Sequence, residues 1–208
     1  MSLRPACRLL LFLCICPMFM LAQESRADVS IGGQAVWPFN SSSDTVSVES
    51  SISGGGIASF RYHLRGHSSL EASYAYSRST FYYNVNEQDV GGGSIFLSQQ
   101  GSMHQFTGAY VYNFSSWKRI QPFVLGGGGL VLFRPISNNT NTLVSATSQG
   151  KGTFLYGAGF NYPLAHAFSL RIEYRGLFLK APDFYGAAVN ATSRMIVAAP
   201  SAQLVYHF

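Results

Sequence analysis

Eight segments of this sequence alternate between apolar or aromatic residues and small or polar residues with a period of two. In the seventh segment, for example, Arg171 and Glu173 flank Ile172. Such alternation is typical of β-strands, whose successive side chains point to opposite faces of a sheet. The eight segments lie at 29–39, 59–64, 70–77, 105–114, 121–134, 153–162, 169–178 and 202–208. The sequence therefore predicts an all-β fold with eight strands.

The connections between these segments alternate in length. Four are long, at 40–50, 80–102, 135–151 and 181–195, and three are short, at 64–68, 115–120 and 163–167. Antiparallel barrels of the bacterial outer membrane have long extracellular loops, short periplasmic turns and an even number of strands. The pattern predicts an eight-stranded antiparallel transmembrane up-and-down β-barrel with both chain ends on the periplasmic side.

The two faces of the predicted strands differ in chemistry. The aromatic face carries no acidic residue in any strand, and Arg78 lies at a strand end, where its side chain can reach the membrane interface. A barrel in a bilayer directs apolar residues to lipid and polar residues to its lumen. Barrel closure also leaves no exposed sheet edge in the membrane. A soluble exported β-sandwich is the alternative fold.

The first 27 residues have the features of a secretory signal peptide. Arg4 and Arg8 precede an apolar stretch at 9–21, which is short for a membrane-spanning helix. Small residues favour cleavage after Ala27, and cleavage after Ala22 is the second choice. The prediction is a signal peptide at 1–27 and a single barrel domain at 28–208. All three cysteines precede residue 28, which leaves the barrel without a thiol or disulfide.

A run of four glycines lies inside the fifth segment, in "PFVLGGGGLVLF" at 122–133. Phosphate-binding loops place glycines between a strand and a helix, and usually carry a Lys-Ser or Lys-Thr pair. Here a second strand-like run follows, and no such pair is close by. We interpret the glycines as a packing and curvature device, because an eight-stranded lumen has little room beside bulky side chains.

The order of these motifs resembles the OmpA-type eight-stranded outer-membrane β-barrel family, in its barrel-only, porin-like form. The resemblance rests on "PFVLGGGGLVLF", "FLYGAGFNYPL", "FSLRIEYRG" and the terminal "LVYHF". It implies location in the cell outer membrane and contact with outer-membrane lipid and lipopolysaccharide. It also implies recognition by the barrel-assembly machinery through Leu204, Tyr206 and Phe208. The extracellular partner is not indicated.

The polar face of the strands predicts a network of side chains inside the barrel. Its expected members are Arg61, Glu71, Gln105, Asn161, Arg171, Glu173, Arg175 and Gln203. Charges in a low-dielectric interior must be paired and hydrogen-bonded. The network is expected to plug the lumen, which favours a structural or surface-interaction role. A narrow pore or small-solute-binding barrel is the alternative.

Other function classes have little support in the sequence. Without the first 27 residues the net charge is about +3 and the basic residues are scattered, which argues against nucleic-acid binding. The histidines show no metal-ligand spacing, so no metal and no cofactor are predicted. A lipid A-modifying enzyme would need a histidine and a serine near the outer rim. The nearest motif, "HSS" at 67–69, falls in a predicted periplasmic turn, and no enzyme activity is expected.

Overall fold

The structure is a computed structural model that describes residues 26–38, 41–43, 46–64, 66–86, 94–136, 148–180 and 194–208. These residues form ten strands: β1 (Ala27–Pro38), β2 (Ser41–Ser43), β3 (Val46–Ser50), β4 (Ser53–His63), β5 (Ser68–Asn86), β6 (Ser94–Asn113), β7 (Gln121–Pro135), β8 (Gln149–Ala165), β9 (Phe168–Lys180) and β10 (Arg194–His207). The described part of the chain contains no helix long and apolar enough to cross a membrane.

Eight of the strands, β1 and β4 to β10, close into an antiparallel barrel. Each of them pairs with its two neighbours, and β1 pairs with both β4 and β10. The β5–β6 pairing completes the ring. The predicted all-β, eight-stranded antiparallel barrel is confirmed.

The stagger of the barrel can be read from its residue pairs. Pro38 pairs with Val197, and the paired positions lead once round the barrel through Leu177, Leu155 and Gly127. They then pass through Ala109, Glu71 and Arg61 and return to β1 at Asp28, ten residues below Pro38. With about 3.3 Å per residue and about 4.8 Å between strands, this offset tilts the strands by about 40°. Membrane-spanning barrels have tilts in this range.

Several strands extend beyond the segments predicted from the sequence. β5 and β6 continue deep into the predicted loop 80–102, and β2 and β3 form in the predicted loop 40–50, where β3 pairs with β5. β10 begins at Arg194, and Lys151 lies in β8 and not in a loop. The lengths of the connections alone do not show where a strand ends, and we had assigned these positions to loops. Backbone pairing nevertheless continues there.

The two ends of the barrel differ in their connections. We call the end with the short connections at 64–67, 114–120 and 166–167 the turn end, and the opposite end the loop end. The start of β1 and the end of the chain meet at the turn end, where the Phe208 amide donates to the Ala27 carbonyl at 3.1 Å. In outer-membrane barrels the short turns face the periplasm.

The outer face of the barrel exposes many large apolar side chains. Ile31 is 68% exposed, Phe154 57% and Leu130 55%. These are values expected for residues that meet lipid and not a protein core.

The interior has two zones, which corrects the expectation of a polar lumen throughout. The turn-end half contains the buried charges, whereas the loop-end half is filled mainly by apolar side chains. The apolar zone comprises Val36, Met103, Val131, Phe133, Leu155, Leu177, Leu179, Met195 and Val197. Alternation identifies the inward face but does not say at which height polar residues stop.

Glycines provide the room that the interior needs. A Cβ atom built on Gly159 would lie 2.7 Å from Cζ of the buried Phe123, and one built on Gly127 would overlap the Gly108 carbonyl. Both positions lie on the inward face, beside the bulky residues of the turn-end half. The close approach supports the interpretation of the glycines as a packing device.

Candidate functional site

Six charged side chains form one cluster in the turn-end half of the barrel. Three are arginines, from β4 and β9, and three are acids, from β1, β5 and β9: Arg61, Arg171, Arg175, Asp28, Glu71 and Glu173. Each is at most 4% exposed. The cluster is balanced in charge, three against three, which is the condition for burying ions at tolerable cost.

Glu71 is the centre of the cluster because it contacts all three arginines. Its Oε2 accepts hydrogen bonds from Nε of Arg61 at 2.9 Å and from Nη2 of the same residue at 2.6 Å. Arg171 Nη1 lies 3.6 Å from this oxygen, and Arg175 Nη2 donates to the other, Oε1. The Arg61–Glu71 pair is a direct cross-strand pair of β4 and β5. A fork of this kind is stronger than a single ionic contact.

The other two acids each bind one arginine. Asp28 accepts from Arg171 Nη2 at 3.0 Å and lies 2.9 Å from Nε2 of His63. Glu173 Oε1 accepts from Nε of Arg175, two residues along the same face of β9. The cluster therefore runs as a chain from the turn end at Asp28 to the middle of the barrel at Glu173.

An aromatic ring and neutral polar groups complete the cluster. The buried Phe123 ring lies 4.4 Å from the Arg61 guanidinium carbon and 5.8 Å from that of Arg171. Asn161 Oδ1 accepts from Arg171 Nε at 2.9 Å, and Gln203 Oε1 accepts from the Ser30 hydroxyl at 2.7 Å. Guanidinium groups packed on a ring and bonded at their edges are held in one orientation.

The structure buries all eight side chains proposed for the lumen and brings seven of them into this region. Gln105 lies nearer the loop end, and no described residue accepts a hydrogen bond from its Nε2. Asp28 is the member that sequence reasoning missed, because we placed it at a cleavage site. The sequence did contain the signal, because Asp28 lies two residues before the inward-facing Ser30 and residues two apart in a strand share a face.

Several buried polar atoms near the middle of the barrel have no hydrogen-bond partner among the described residues. They are Glu173 Oε2, Arg61 Nη1, Ser77 Oγ, Gln105 Nε2 and both amide atoms of Gln34. Gln34 pairs with Gly55, and Gly55 with Ser77, so these positions lie side by side on β1, β4 and β5. Above them the hydroxyls of Ser53 and Ser79 are 2.8 Å apart. This polar lane, formed by Gln34, Ser53, Gly55, Ser77 and Ser79, faces the apolar residues of the opposite wall.

A serine, a histidine and an aspartate meet at the turn end, a contact that the sequence analysis did not expect. Nδ1 of His63 lies 2.9 Å from the Ser69 hydroxyl, and its Nε2 lies 2.9 Å from Asp28. Ser69 has no exposed surface, and its hydroxyl also accepts from Asn113 Nδ2 at 2.8 Å. A nucleophile must reach its substrate. The buried Ser69 hydroxyl instead links β4, β5 and β6.

The described residues contain no group of three or more metal-ligating side chains placed to hold an ion.

The proposed assembly residues lie at the outer face of β10 and at its end. Leu204 and Tyr206 are 47% and 43% exposed, and the Tyr206 ring contacts those of Phe168 and Phe208 at 5.3 Å and 5.1 Å.

Residues 8–197 match the family described as "Outer membrane protein beta-barrel domain". The chain belongs to this family. The match agrees with the closed barrel, and it places the protein in the outer membrane. No curated protein matches the chain.

Solved structures of outer membrane barrels share the fold. Ail of Yersinia pestis, in complex with the heparin analogue sucrose octasulfate, is 16% identical, with 88% of this chain and 97% of Ail covered and a TM-score of 0.51. Neisserial surface protein A is 13% identical, with coverage of 88% and 97% and a TM-score of 0.56. OprG from Pseudomonas aeruginosa is 14% identical, with coverage of 88% and 96% and a TM-score of 0.57.

Proposed function

We propose that this protein is a non-conducting outer membrane barrel with a structural or surface-interaction role. The observation that carries the proposal is the charge-balanced cluster centred on Glu71. Three guanidinium groups and three carboxylates fill the turn-end half of the lumen and hold one another in place. Displacing any of them would leave a buried charge without its partner, at a cost of about 3–5 kcal/mol.

A second barrier supports the same proposal. The loop-end half holds side chains such as Val131, Phe133 and Leu155, none of which has exposed surface. Ions lose their hydration in such a zone and gain no partner. Two different barriers in series therefore favour a plug.

Cations on the outer face support contact with lipopolysaccharide. Arg134, Lys180 and Arg194 lie at the loop end of their strands. Arg78, predicted at a strand end, lies inside β5 opposite Ser102, which in turn pairs with Arg134. All four side chains are exposed. The acidic residues whose side chains are described all point inward. Cations near the loop end of the barrel can bind the phosphates of lipopolysaccharide in the outer leaflet.

The barrel-assembly machinery is the other proposed partner, through Leu204, Tyr206 and Phe208.

Conductance of the refolded protein in planar bilayers tests the plug. We expect no discrete current steps for the wild type. A Glu71→Ala variant that still folds should also give none, because the apolar side chains of the loop-end half remain as a second barrier. Wild-type steps of constant size that a Leu155→Trp substitution abolishes would refute the plug and identify a pore.

A narrow pore is the second candidate, and the polar lane favours it. Polar atoms without protein partners in a buried site are usually hydrogen-bonded to water. The lane could carry a single file of water past the apolar zone. Replacing Ser77 with Leu should then reduce the osmotic water permeability of proteoliposomes, whereas a plugged barrel would give no change.

A surface role is supported by two proteins of similar structure, since Ail is named an attachment invasion locus protein and the other Neisserial surface protein A.

A lipid A-modifying enzyme is the least supported candidate, because the Ser69 hydroxyl is buried at the turn end. Mass analysis of lipid A from cells with and without the protein distinguishes these roles. A mass change that depends on the protein would contradict a purely structural or adhesive function.

A further inference from the structure

A cavity of about 320 Å³ opens at the turn end of the barrel. The turn between β6 and β7 contributes Ser116, Lys118 and Arg119, and strands β8 to β10 contribute Asn161, Ser169 and His207. The cavity is thus lined by two cations and by small polar groups. None of the lining residues is acidic.

The two cations have no ionic partner in the described part of the chain. Lys118 Nζ lies 5.4 Å from the centre of the Trp117 ring, a contact that leaves its N–H groups able to donate. Both Lys118 and Arg119 are exposed. Asp28, a nearby carboxylate at the turn end, is already bound by Arg171 and His63.

The backbone conformation at Lys118 is energetically unfavourable for a residue other than glycine. Trp117 and Ile120 exchange two backbone hydrogen bonds, of 2.9 Å and 3.1 Å, around the two-residue turn Lys118–Arg119. Lys118 has a φ of 58°, and it is the one non-glycine residue with positive φ among those described. A turn with positive φ only at its first central position favours glycine there. Backbone strain of this kind is often found at binding sites.

His207 and Ser169 give the cavity a fixed polar wall. Nε2 of His207 lies 2.8 Å from the Ser169 hydroxyl, and Asn161 is held by Arg171. Phosphate groups are bound by arginine, lysine and neutral hydrogen-bond donors in combination. The cavity offers this combination and no repelling carboxylate.

We propose that this cavity binds a phosphate group, held by Lys118 and Arg119 and oriented by the His207–Ser169 wall. The phosphate can belong to a phospholipid headgroup of the periplasmic leaflet or to a small soluble phosphate. Trp117 is 71% exposed beside the cavity, as interfacial aromatic residues in membrane proteins are.

Fluorescence of Trp117 provides a direct binding assay. The chain has two tryptophans, so a Trp37→Phe background leaves Trp117 as the reporter. The full-length mature protein is refolded in a maltoside detergent, which contains no phosphate. One arm titrates inorganic phosphate at constant ionic strength. The other adds short-chain phosphatidylglycerol, with diacylglycerol of the same chain length as the phosphate-free match.

Three variants make the test specific. Lys118→Gly removes the cation and places glycine where φ is positive, so the melting temperature should not fall. Arg119→Gln removes the second cation without changing the turn. Lys151→Gln is the matched control, because it removes one cation from the opposite end of the barrel, near the loop end of β8.

We expect saturable binding that weakens at least tenfold in Lys118→Gly and in Arg119→Gln, and less than twofold in Lys151→Gln. A response to both probes would indicate a soluble phosphate, and a response to phosphatidylglycerol alone a lipid headgroup. The proposal is overturned if neither probe binds, if both turn variants bind like the wild type, or if Lys151→Gln weakens binding equally.

Discussion

Replacing Glu71 with Gln removes the one carboxylate in the described part of the chain that contacts all three buried arginines. The change keeps the size of the side chain and leaves three buried positive charges facing two negative ones. Removing one partner from a buried ionic group typically costs about 3–5 kcal/mol. The free energy of unfolding should fall by this amount, because the Arg61 fork loses its acceptor charge and no other described carboxylate contacts that residue.

Urea unfolding of the refolded barrel in detergent micelles measures this loss. With a slope of about 2 kcal/mol per molar urea, the midpoint should fall by about 1.5–2.5 M. Tryptophan fluorescence follows the transition, and the gel mobility of unheated samples confirms that the variant barrel closes.

A second substitution tests the reason for the loss. Glu71→Gln combined with Arg61→Met restores the charge balance at two against two, and it should recover at least half of the lost midpoint. A midpoint within about 0.3 M of the wild type for Glu71→Gln alone would refute the reasoning. It would mean that the arginines are compensated by other groups.

Three further predictions concern the same barrel. Glu173→Leu should destabilise less than Glu71→Gln, because Arg175 is the one arginine among the described residues that Glu173 contacts. Equal urea midpoints for wild type and variant would show that the pair contributes nothing. Deleting Phe208 should reduce outer-membrane insertion in cells far more than refolding into detergent, which contains no assembly machinery; equal losses would make Phe208 a packing residue. N-terminal sequencing of the membrane-extracted protein should begin at Asp28 or, as the second choice, Gln23, and a chain beginning at Met1 would contradict the signal peptide. A start at Gln23 would retain the hydrogen bonds that the Arg26 and Ala27 carbonyls accept from His63 and Phe208.

The barrel architecture followed from the sequence because the bilayer imposes a strict pattern on it. A membrane-spanning strand must alternate lipid-facing and lumen-facing residues, and "SLRIEYRG" does so over its whole length. The same alternation assigned Arg171, Glu173 and Arg175 to one face of β9, and the structure buries all three. The bilayer does not limit how far two strands continue to pair beyond it, and the predicted boundaries of β5 and β6 were therefore too short.

Only the tertiary structure decided which charges meet. Glu71 and Arg175 are 104 residues apart in the sequence, and their contact depends on the ten-residue stagger of the barrel. Alternation gives the face of a side chain but not its height or its partner across the lumen. For this reason the sequence revealed a set of inward polar residues, whereas the role of Asp28, the apolar loop-end zone and the cavity beside Lys118 emerged only when eight strands were closed into one ring.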